Sequence, residues 1–208
     1  MKNFITFEGG ECTGKTSIIK YIEKEFEKLG ITYITTREPG GIRIAEKIRD
    51  IILDVSNKEM TPECEALLYA ASRMQHLKEK VIPALDAGKV VLCDRFLDSS
   101  LAYQGYARGL GMEAILKANA FALDYLPSLT ILIDLEPEIA LKRLLNKDRE
   151  SKKDRLDSEG IDFHKRVYDG YHEVYKMYPD RIVMLDGNKP LEELQKECLK
   201  VIIDHIKE

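Results

Sequence analysis

The chain of 208 residues lacks the cysteine patterns that mark disulfide-rich or metal-binding proteins. It contains four cysteines, and no pair among them has the spacing of a metal site or of a disulfide framework. These residues are Cys12, Cys64, Cys93 and Cys198. We therefore expect four reduced thiols in a cytoplasmic protein.

Long apolar runs and an excess of basic residues are also absent. No stretch approaches about 18 consecutive apolar residues, so we expect no transmembrane helix, and the opening MKNFITFEGG predicts no secretory signal. The net charge of −4 implies no global attraction to nucleic acid. With no internal repeat, linker or low-complexity tract, we expect one domain spanning residues 1–208.

Short apolar runs alternate with helical patterns along the chain. The expected strands are 3–8, 31–36, 89–94, 129–135 and 181–187. The expected helices are 15–30, 42–53, Pro62 to about Leu85, and Pro190 to about Lys207. This alternation predicts an α/β fold, a five-stranded parallel sheet with helices on both faces. Ligands of such sheets lie beyond the carboxyl ends of the strands.

The segment FEGGECTGKTS (7–17) follows the first predicted strand and contains the pattern Gly-x-x-x-x-Gly-Lys-Thr. Its glycines permit backbone N–H groups to wrap phosphates, and the following helix N-terminus adds partial positive charge. Lys15 is expected to reach the β- and γ-phosphates, while Thr16 offers a hydroxyl to magnesium. We predict a nucleoside triphosphate site formed by Gly9, Gly10, Glu11, Cys12, Thr13, Gly14, Lys15, Thr16 and Ser17.

Residues after the third predicted strand favour transfer to an acceptor over hydrolysis. Asp94 ends that strand, the position of a magnesium-organising carboxylate. A water-activating ATPase would be expected to place a second acid beside it. Arg95 stands there instead, and a guanidinium suits a bidentate phosphate contact. Arg49, late in the helix after REPGG, is a second candidate.

Tyr69 and Arg73 are four residues apart, so they share one face of a predicted helix. That face could offer an aromatic platform and a guanidinium to a planar base. The alternative is a tyrosine of the ordinary core beside a solvated arginine.

Residues 142–155 hold seven basic side chains against three acidic ones. We interpret this segment as a mobile, positively charged lid over about 142–158, with Arg149 as the favoured catalytic arginine. An arginine there can contribute roughly 10³–10⁵ in rate to phosphoryl transfer. The alternative is a solvated charge run. A lid with no water-activating base indicates a kinase for a small phosphorylated acceptor.

The motifs FEGGECTGKTS, TREPGG, CDRFLDSSLAYQG and DRLDSEGIDFHKRVYDGY stand in an order and spacing that resembles bacterial thymidylate kinases over essentially the whole chain. The phosphate loop is shared by a superfamily, whereas REPGG with DRFxxSSxAYQG is specific to this family. The resemblance implies a nucleoside monophosphate kinase fold with a short lid. It also implies transfer from ATP to dTMP with Mg²⁺, giving dTDP for DNA synthesis, by a cytoplasmic homodimer.

The same resemblance implies roles on the acceptor side. Tyr69 would stack on thymine, where the family usually has Phe, and Arg73 would contact the base. Arg95, supported by Arg49, would grip the acceptor phosphate, and Tyr103 would lie near the sugar 2′ position. The resemblance also assigns residues to the acceptor segment and to the metal: Ser99 and Gln104, and Asp94 with Thr16.

Two residues of the phosphate loop differ in what the resemblance implies for them. In the resembling family, an acid at the position of Glu11 contacts the 3′-hydroxyl of the acceptor sugar. The alternative is a Glu11 that faces solvent. Some members carry a basic residue where this chain has Cys12, so the lid must supply that charge, which favours Arg149. Lys152, Lys153 and Arg155 are substitutes for Arg149, so they remain open for that role.

Two other functions remain open at this stage. The chain could be a kinase for another nucleoside monophosphate, or for an unphosphorylated nucleoside. It could instead be a phosphate-loop switch or assembly ATPase, in which case ATP would be hydrolysed slowly without any acceptor.

Overall fold

The computed structural model describes residues 3–146, 155–156 and 159–207. Its described part contains one sheet of five parallel strands in the order β2-β3-β1-β4-β5. The strands are β1 (Phe4–Glu8), β2 (Tyr33–Arg37), β3 (Val90–Asp94), β4 (Leu129–Asp134) and β5 (Ile182–Asp186). The predicted sheet is confirmed, with strand limits within about two residues of the expected ones.

Nine α-helices occur in these described ranges. They are α1 (Lys15–Leu29), α2 (Arg43–Leu53), α3 (Pro62–His76), α4 (Ile82–Asp86), α5 (Leu97–Ser100), α6 (Met112–Ala118), α7 (Pro137–Asn146), α8 (Ile161–Met177) and α9 (Leu191–Lys207). Two π-helical segments, Leu77–Val81 and Leu101–Ala107, continue α3 and α5, and a 3₁₀ segment covers Ala120–Tyr125. None of the helices described is long and apolar enough to cross a membrane.

Local sequence signals set where the main helices begin and end. Gly14 adopts a left-handed conformation before α1, and Gly30 does so after it, where its N–H bonds back to the last turn. Before α3, the Thr61 hydroxyl accepts a hydrogen bond from the N–H of Cys64, and Pro62 occupies the first helical position.

Alternating residues of β1 separate two hydrophobic cores. Ile5 and Phe7 pack in a cluster with residues of α1 and α9. Phe4 points to the opposite face, where it packs with residues of α3 and α8. Its ring lies 5.0 Å from that of Phe96, edge to face. Because β1 has a period of two, Glu8 lies on the same face as Phe4.

The register of the central strands gathers three loops at one edge of the sheet. Phe7 of β1 lies opposite Asp94 of β3, and Arg37 of β2 lies opposite the same residue. The loops after β1, β2 and β3 therefore emerge side by side, as expected for the ligand-binding edge of a parallel sheet.

Helix α8 crosses the helix formed by residues 97–107 at Gly170. A Cβ added at Gly170 would lie 2.9 Å from the carbonyl oxygen of Ala102 and 3.0 Å from Cβ of Tyr106. These atoms belong to backbone or to the base of a side chain, so they cannot swing away. The close approach holds the 97–107 helix against the sheet edge.

We expect Gly170→Ala to lower the free energy of unfolding by about 1–3 kcal/mol, because overpacking outweighs the better helix propensity of alanine. Urea unfolding followed by circular dichroism measures this change. Gly160→Ala is the control, since a Cβ there meets nothing within 4 Å. Equal or greater stability of Gly170→Ala would show that the two helices can separate without cost.

Candidate active site

The predicted phosphate loop lies between β1 and α1 and lines an open cleft of about 340 Å³. Gly9 has φ 128°, and a Cβ there would lie 2.5 Å from the carbonyl oxygen of Ile133, so only glycine fits. Lys15 folds back over the loop, where its Nζ donates to the carbonyl oxygens of Gly9 (3.0 Å) and Gly10 (2.7 Å) and to the hydroxyl of Thr13 (3.3 Å). Burial lowers the pKa of Lys15 to about 8.

The other loop residues also reach this cleft. The lining includes Glu11, Cys12, Thr13, Gly14, Thr16 and Ser17. Cys12 has a positive φ of 55°, an uncommon conformation for a residue with a side chain. The backbone of the loop is therefore curved, and Lys15 and Thr16 lie at the end where α1 begins.

Asp94 ends β3 and lines the same cleft. Its Oδ1 is buried and has no hydrogen-bond partner within the described part of the chain. A carboxylate oxygen without a donor is costly to bury, and a cation would satisfy it. No cluster of three or more histidine, cysteine or acidic residues that could hold a metal occurs among the residues described. A magnesium ion here would therefore take further oxygen ligands from Thr16, substrate phosphates and water.

Arg95 joins the phosphate loop to the helix that follows β3. Its Nη1 donates to the carbonyl oxygen of Gly9 (2.9 Å) and to the hydroxyls of Tyr171 (2.9 Å) and Ser99 (3.2 Å). Its Nη2 donates to Oε1 of Glu11 at 2.6 Å. Arg95 has φ 68°, so the backbone turns sharply directly after Asp94.

Glu11 points across the cleft from the phosphate loop. Its Oε1 accepts hydrogen bonds from Nη2 of Arg95 and from the hydroxyl of Tyr103, the latter at 3.2 Å. Burial would raise the pKa of Glu11, but Arg95, Lys15 and the Tyr103 hydroxyl outweigh it and lower the pKa to about 2. Glu11 thus contacts Arg95 and Tyr103 while its side chain remains 41% exposed, so its role stays a prediction.

Tyr69 and Arg73 of α3 line the wall opposite the phosphate loop. The guanidinium of Arg73 donates to Oε2 of Glu38 (2.8 Å), Oδ1 of Asn119 (2.6 Å), the carbonyl oxygen of Phe96 (3.1 Å) and the hydroxyl of Ser100 (3.0 Å). Arg73 is only 1% exposed, so the alternative of a solvated arginine is wrong. These four bonds leave at most one of its five N–H groups for a ligand.

The remaining predicted acceptor residues also reach this cleft. Arg49 Nη1 donates to the carbonyl oxygen of Pro39 at 3.0 Å. Gln104 is buried, and its side-chain amide donates to Oε1 of Glu65 at 2.8 Å. The lining on this side is completed by Arg49, Ser99, Tyr103 and Gln104.

The predicted lid falls largely outside the described residues. The residues outside the described part include Arg149, Lys152 and Lys153. Arg155 is described, and its Nε donates to the carbonyl oxygen of Ile52 at 2.9 Å while its Nη2 contacts Oε2 of Glu65.

Three residues that build the cleft were missed at the sequence level. Glu8, Glu65 and Tyr171 lie behind the lining and bond to it. Glu8 is fully buried, which raises its pKa to about 7. An acid on the inward face of the apolar strand FITFE was a usable signal for Glu8. For Glu65 and Tyr171 no local pattern indicates the partner, because their partners are distant in sequence.

Comparison with known proteins gives one consistent family. The family model described as thymidylate kinase matches residues 7–198. The thymidylate kinase of Clostridium novyi is 54% identical, over 93% of this chain and 95% of its own length. The thymidylate kinase of Halalkalibacterium halodurans is 51% identical, over 96% and 95%.

A solved structure agrees with these sequence comparisons. The crystal structure of thymidylate kinase from Ehrlichia chaffeensis superposes with a TM-score of 0.77 at 29% identity. The match covers 97% of this chain and 98% of the other. The predicted fold is therefore shared along the whole length of a related kinase.

The burial of Arg73 predicts a large cost for removing its charge. We expect Arg73→Met to lower the free energy of unfolding by about 3–5 kcal/mol, because Glu38 loses a partner in a buried site. Arg37→Met is the matched control, since Arg37 pairs with Glu46 at 2.9 Å but is half exposed, and about 0–1 kcal/mol is expected. Urea unfolding compares the two, and equal losses would contradict the structural role assigned to Arg73.

Proposed function

The chain belongs to the thymidylate kinase family and transfers the γ-phosphoryl group of ATP to dTMP, and we propose that this transfer takes place in the cleft between the phosphate loop and the 97–107 helix. The product dTDP feeds dTTP synthesis. The observation that carries the proposal is the position of Arg95. Its guanidinium contacts both the donor loop, at Gly9 and Glu11, and the acceptor-side Ser99.

On the donor side, the backbone from Gly9 to Ser17 binds the ATP phosphates. The N-terminus of α1 directs partial positive charge at them, and Lys15 reaches the β- and γ-phosphates. When phosphate is bound, Lys15 would exchange its bonds to the loop carbonyls for bonds to phosphate oxygens.

Asp94 and Thr16 fit a magnesium ion bound together with ATP. The unpartnered Oδ1 of Asp94 and the hydroxyl of Thr16 would hold it, directly or through water. When bound, the ion neutralises charge on the β- and γ-phosphate oxygens.

On the acceptor side, the wall of α3 receives the base. Tyr69 stacks on thymine, and Arg73 supports the base site from behind with its one remaining N–H. Ser99 and Gln104 complete the acceptor segment. Tyr103 lies 3.2 Å from Glu11 through its hydroxyl, which supports its position beside the sugar, near the 2′ carbon.

Arg95 and Arg49 grip the acceptor phosphate. Both line the cleft, and Arg95 has a fixed orientation because five acceptors or rings surround it. A preoriented guanidinium suits bidentate phosphate binding. Arg149, which lies outside the described residues, is assigned as the catalytic arginine on the sequence resemblance alone.

The same resemblance supports two further assignments. We propose that the protein works in the cytoplasm, and that two copies form a homodimer. Sedimentation of the purified protein gives the mass of the assembly.

The function is tested by an acceptor panel. With ATP and Mg²⁺, ADP release is measured against dTMP, dUMP, dCMP, AMP, GMP, UMP, CMP and thymidine. We expect dTMP to give the highest kcat/KM. For dUMP the disadvantage should be about 10–200-fold, because it lacks a single methyl group in an apolar pocket.

Two controls in the panel separate the alternative functions. Thymidine lacks the phosphate that Arg49 and Arg95 would bind, so its turnover should be far slower. If another monophosphate is preferred to dTMP, the acceptor assignment fails. ADP release that is independent of any acceptor would instead indicate a switch ATPase.

Glu11 offers a second test, specific to the acceptor half of the cleft. We expect Glu11→Gln to lower kcat/KM for dTMP by about 10–100-fold, since charged hydrogen bonds contribute about 1.5–3 kcal/mol. KM for ATP should change little. Steady-state kinetics measure both, with Glu113→Gln as the control because its side chain is 83% exposed on α6. Equal damage to ATP and dTMP use would place Glu11 on the donor side.

A further inference from the structure

We propose that Glu8 is a positioning residue for the phosphoryl transfer. Its carboxylate orients the hydroxyls of Ser99 and Tyr171, and these hydroxyls hold the guanidinium of Arg95 where it grips the acceptor phosphate. The inference rests on the function proposed above for Arg95. Glu8 itself is fully buried behind the cleft wall and is not among the residues that line the cleft.

The carboxylate of Glu8 is surrounded by donors. Oε1 accepts from the backbone N–H of Phe96 at 2.7 Å. Oε2 accepts from the hydroxyl of Ser99 at 2.5 Å and from the hydroxyl of Tyr171 at 2.9 Å. Glu8 is 0% exposed, so these bonds form away from water, where hydrogen-bond networks are strongest.

These bonds give the network a direction. Each hydroxyl has a single hydrogen and lies within hydrogen-bond distance of Oε2 of Glu8 and, at 2.9 Å, of the other hydroxyl. When the ionised carboxylate draws both hydrogens, the two hydroxyl oxygens can only accept on their other side. That side faces Nη1 of Arg95, at 3.2 Å from Ser99 and 2.9 Å from Tyr171.

Glu8 also controls the backbone at the turn that carries Arg95. The N–H of Phe96 is the first after Arg95, whose φ of 68° is an uncommon conformation for a residue with a side chain. The carboxylate thus holds both ends of Arg95, the backbone through Phe96 and the guanidinium through the two hydroxyls.

A nearby acid does not share this role. Asp98 is bound by both terminal nitrogens of Arg181, each at 2.7 Å. Asp98 raises the pKa of Glu8 through its charge, whereas Arg95 lowers that pKa and favours the carboxylate. Arg95 is the cation toward which the network of Glu8 is directed.

An amide at position 8 cannot replace the carboxylate. A carboxylate accepts at both oxygens, but a glutamine side chain has one oxygen and one NH₂ group. If the NH₂ faces the hydroxyls, their hydrogens turn toward Arg95 and oppose its N–H groups. If it faces Phe96, two donors meet. Glu8→Gln is therefore nearly isosteric but reverses the polarity of the network.

The experiment measures kcat and KM for dTMP and for ATP, together with dTMP binding by calorimetry. We expect Glu8→Gln to weaken dTMP binding and to lower kcat/KM for dTMP by about tenfold or more, because a charge-assisted hydrogen-bond network is lost. KM for ATP should stay within about twofold. Tyr171→Phe, which removes one hydroxyl and keeps the ring, should show the same pattern at about three- to tenfold.

A double-mutant cycle with Arg95→Ala distinguishes positioning from general stability. If Glu8 acts through Arg95, adding Glu8→Gln to Arg95→Ala should cost less than about threefold more in kcat/KM. Equal losses in both backgrounds would overturn the proposal. Asp98→Asn is the control for a destabilised buried acid, and if it weakens dTMP binding as much as Glu8→Gln, the proposal is again overturned.

The cycle also separates this inference from the function on which it rests. If Arg95→Ala binds dTMP like the original protein, the acceptor role of Arg95 fails. If Arg95→Ala is impaired but Glu8→Gln is not, only the positioning role of Glu8 fails. If Glu8→Gln does not fold, Tyr171→Phe is combined with Arg95→Ala instead. An additional loss in kcat/KM below about threefold supports the proposal, and equal losses in both backgrounds overturn it.

Discussion

The parallel pairing of β1 with β3 decides where the loops that line the cleft can lie. Phe7 stands opposite Asp94, so the phosphate loop and the turn at Arg95 leave the sheet side by side. The N–H of Arg95 donates to the carbonyl oxygen of Phe7 at 3.0 Å, which ties that turn to β1. A shift of this register would separate the donor loop from the acceptor residues. The site therefore depends on an ordinary strand pairing rather than on the loops themselves.

Buried charge is the second feature on which the cleft depends. Glu8, Glu11 and Glu65 each face at least one arginine of the acceptor side, and so does Glu38. Removing such groups from water is costly, and pairing with hydrogen bonds offsets much of that cost. The benefit is orientation, because a guanidinium with several fixed acceptors cannot swing between positions. Under the proposed function, substrate phosphates would meet cations that are already aligned.

The parts of this structure that could be predicted are those with local signals in the sequence. The strands follow from short apolar runs, and Thr61, Pro62 and Gly30 mark helix ends in the sequence. The site residues could be named from motifs, but their contacts could not. Arg73 bonds to groups 23 to 46 residues away, and Glu8 to a hydroxyl 163 residues away. Such partners are brought together by the packing of the whole chain, and no periodic pattern in the sequence predicts them.

The charges in the cleft also explain how the predicted phosphate loop can contain an acidic residue, Glu11. Lys15 and Arg95 repel each other, and this repulsion adds to burial in lowering the pKa of Lys15. Glu11 contacts Arg95 at 2.6 Å and raises the pKa of Lys15, so it offsets the repulsion and favours the charged form of Lys15. Cys12 adds no charge to this balance. Under the proposed function, substrate phosphates would bring further negative charge, which raises the pKa of Lys15 in the same direction as Glu11 does.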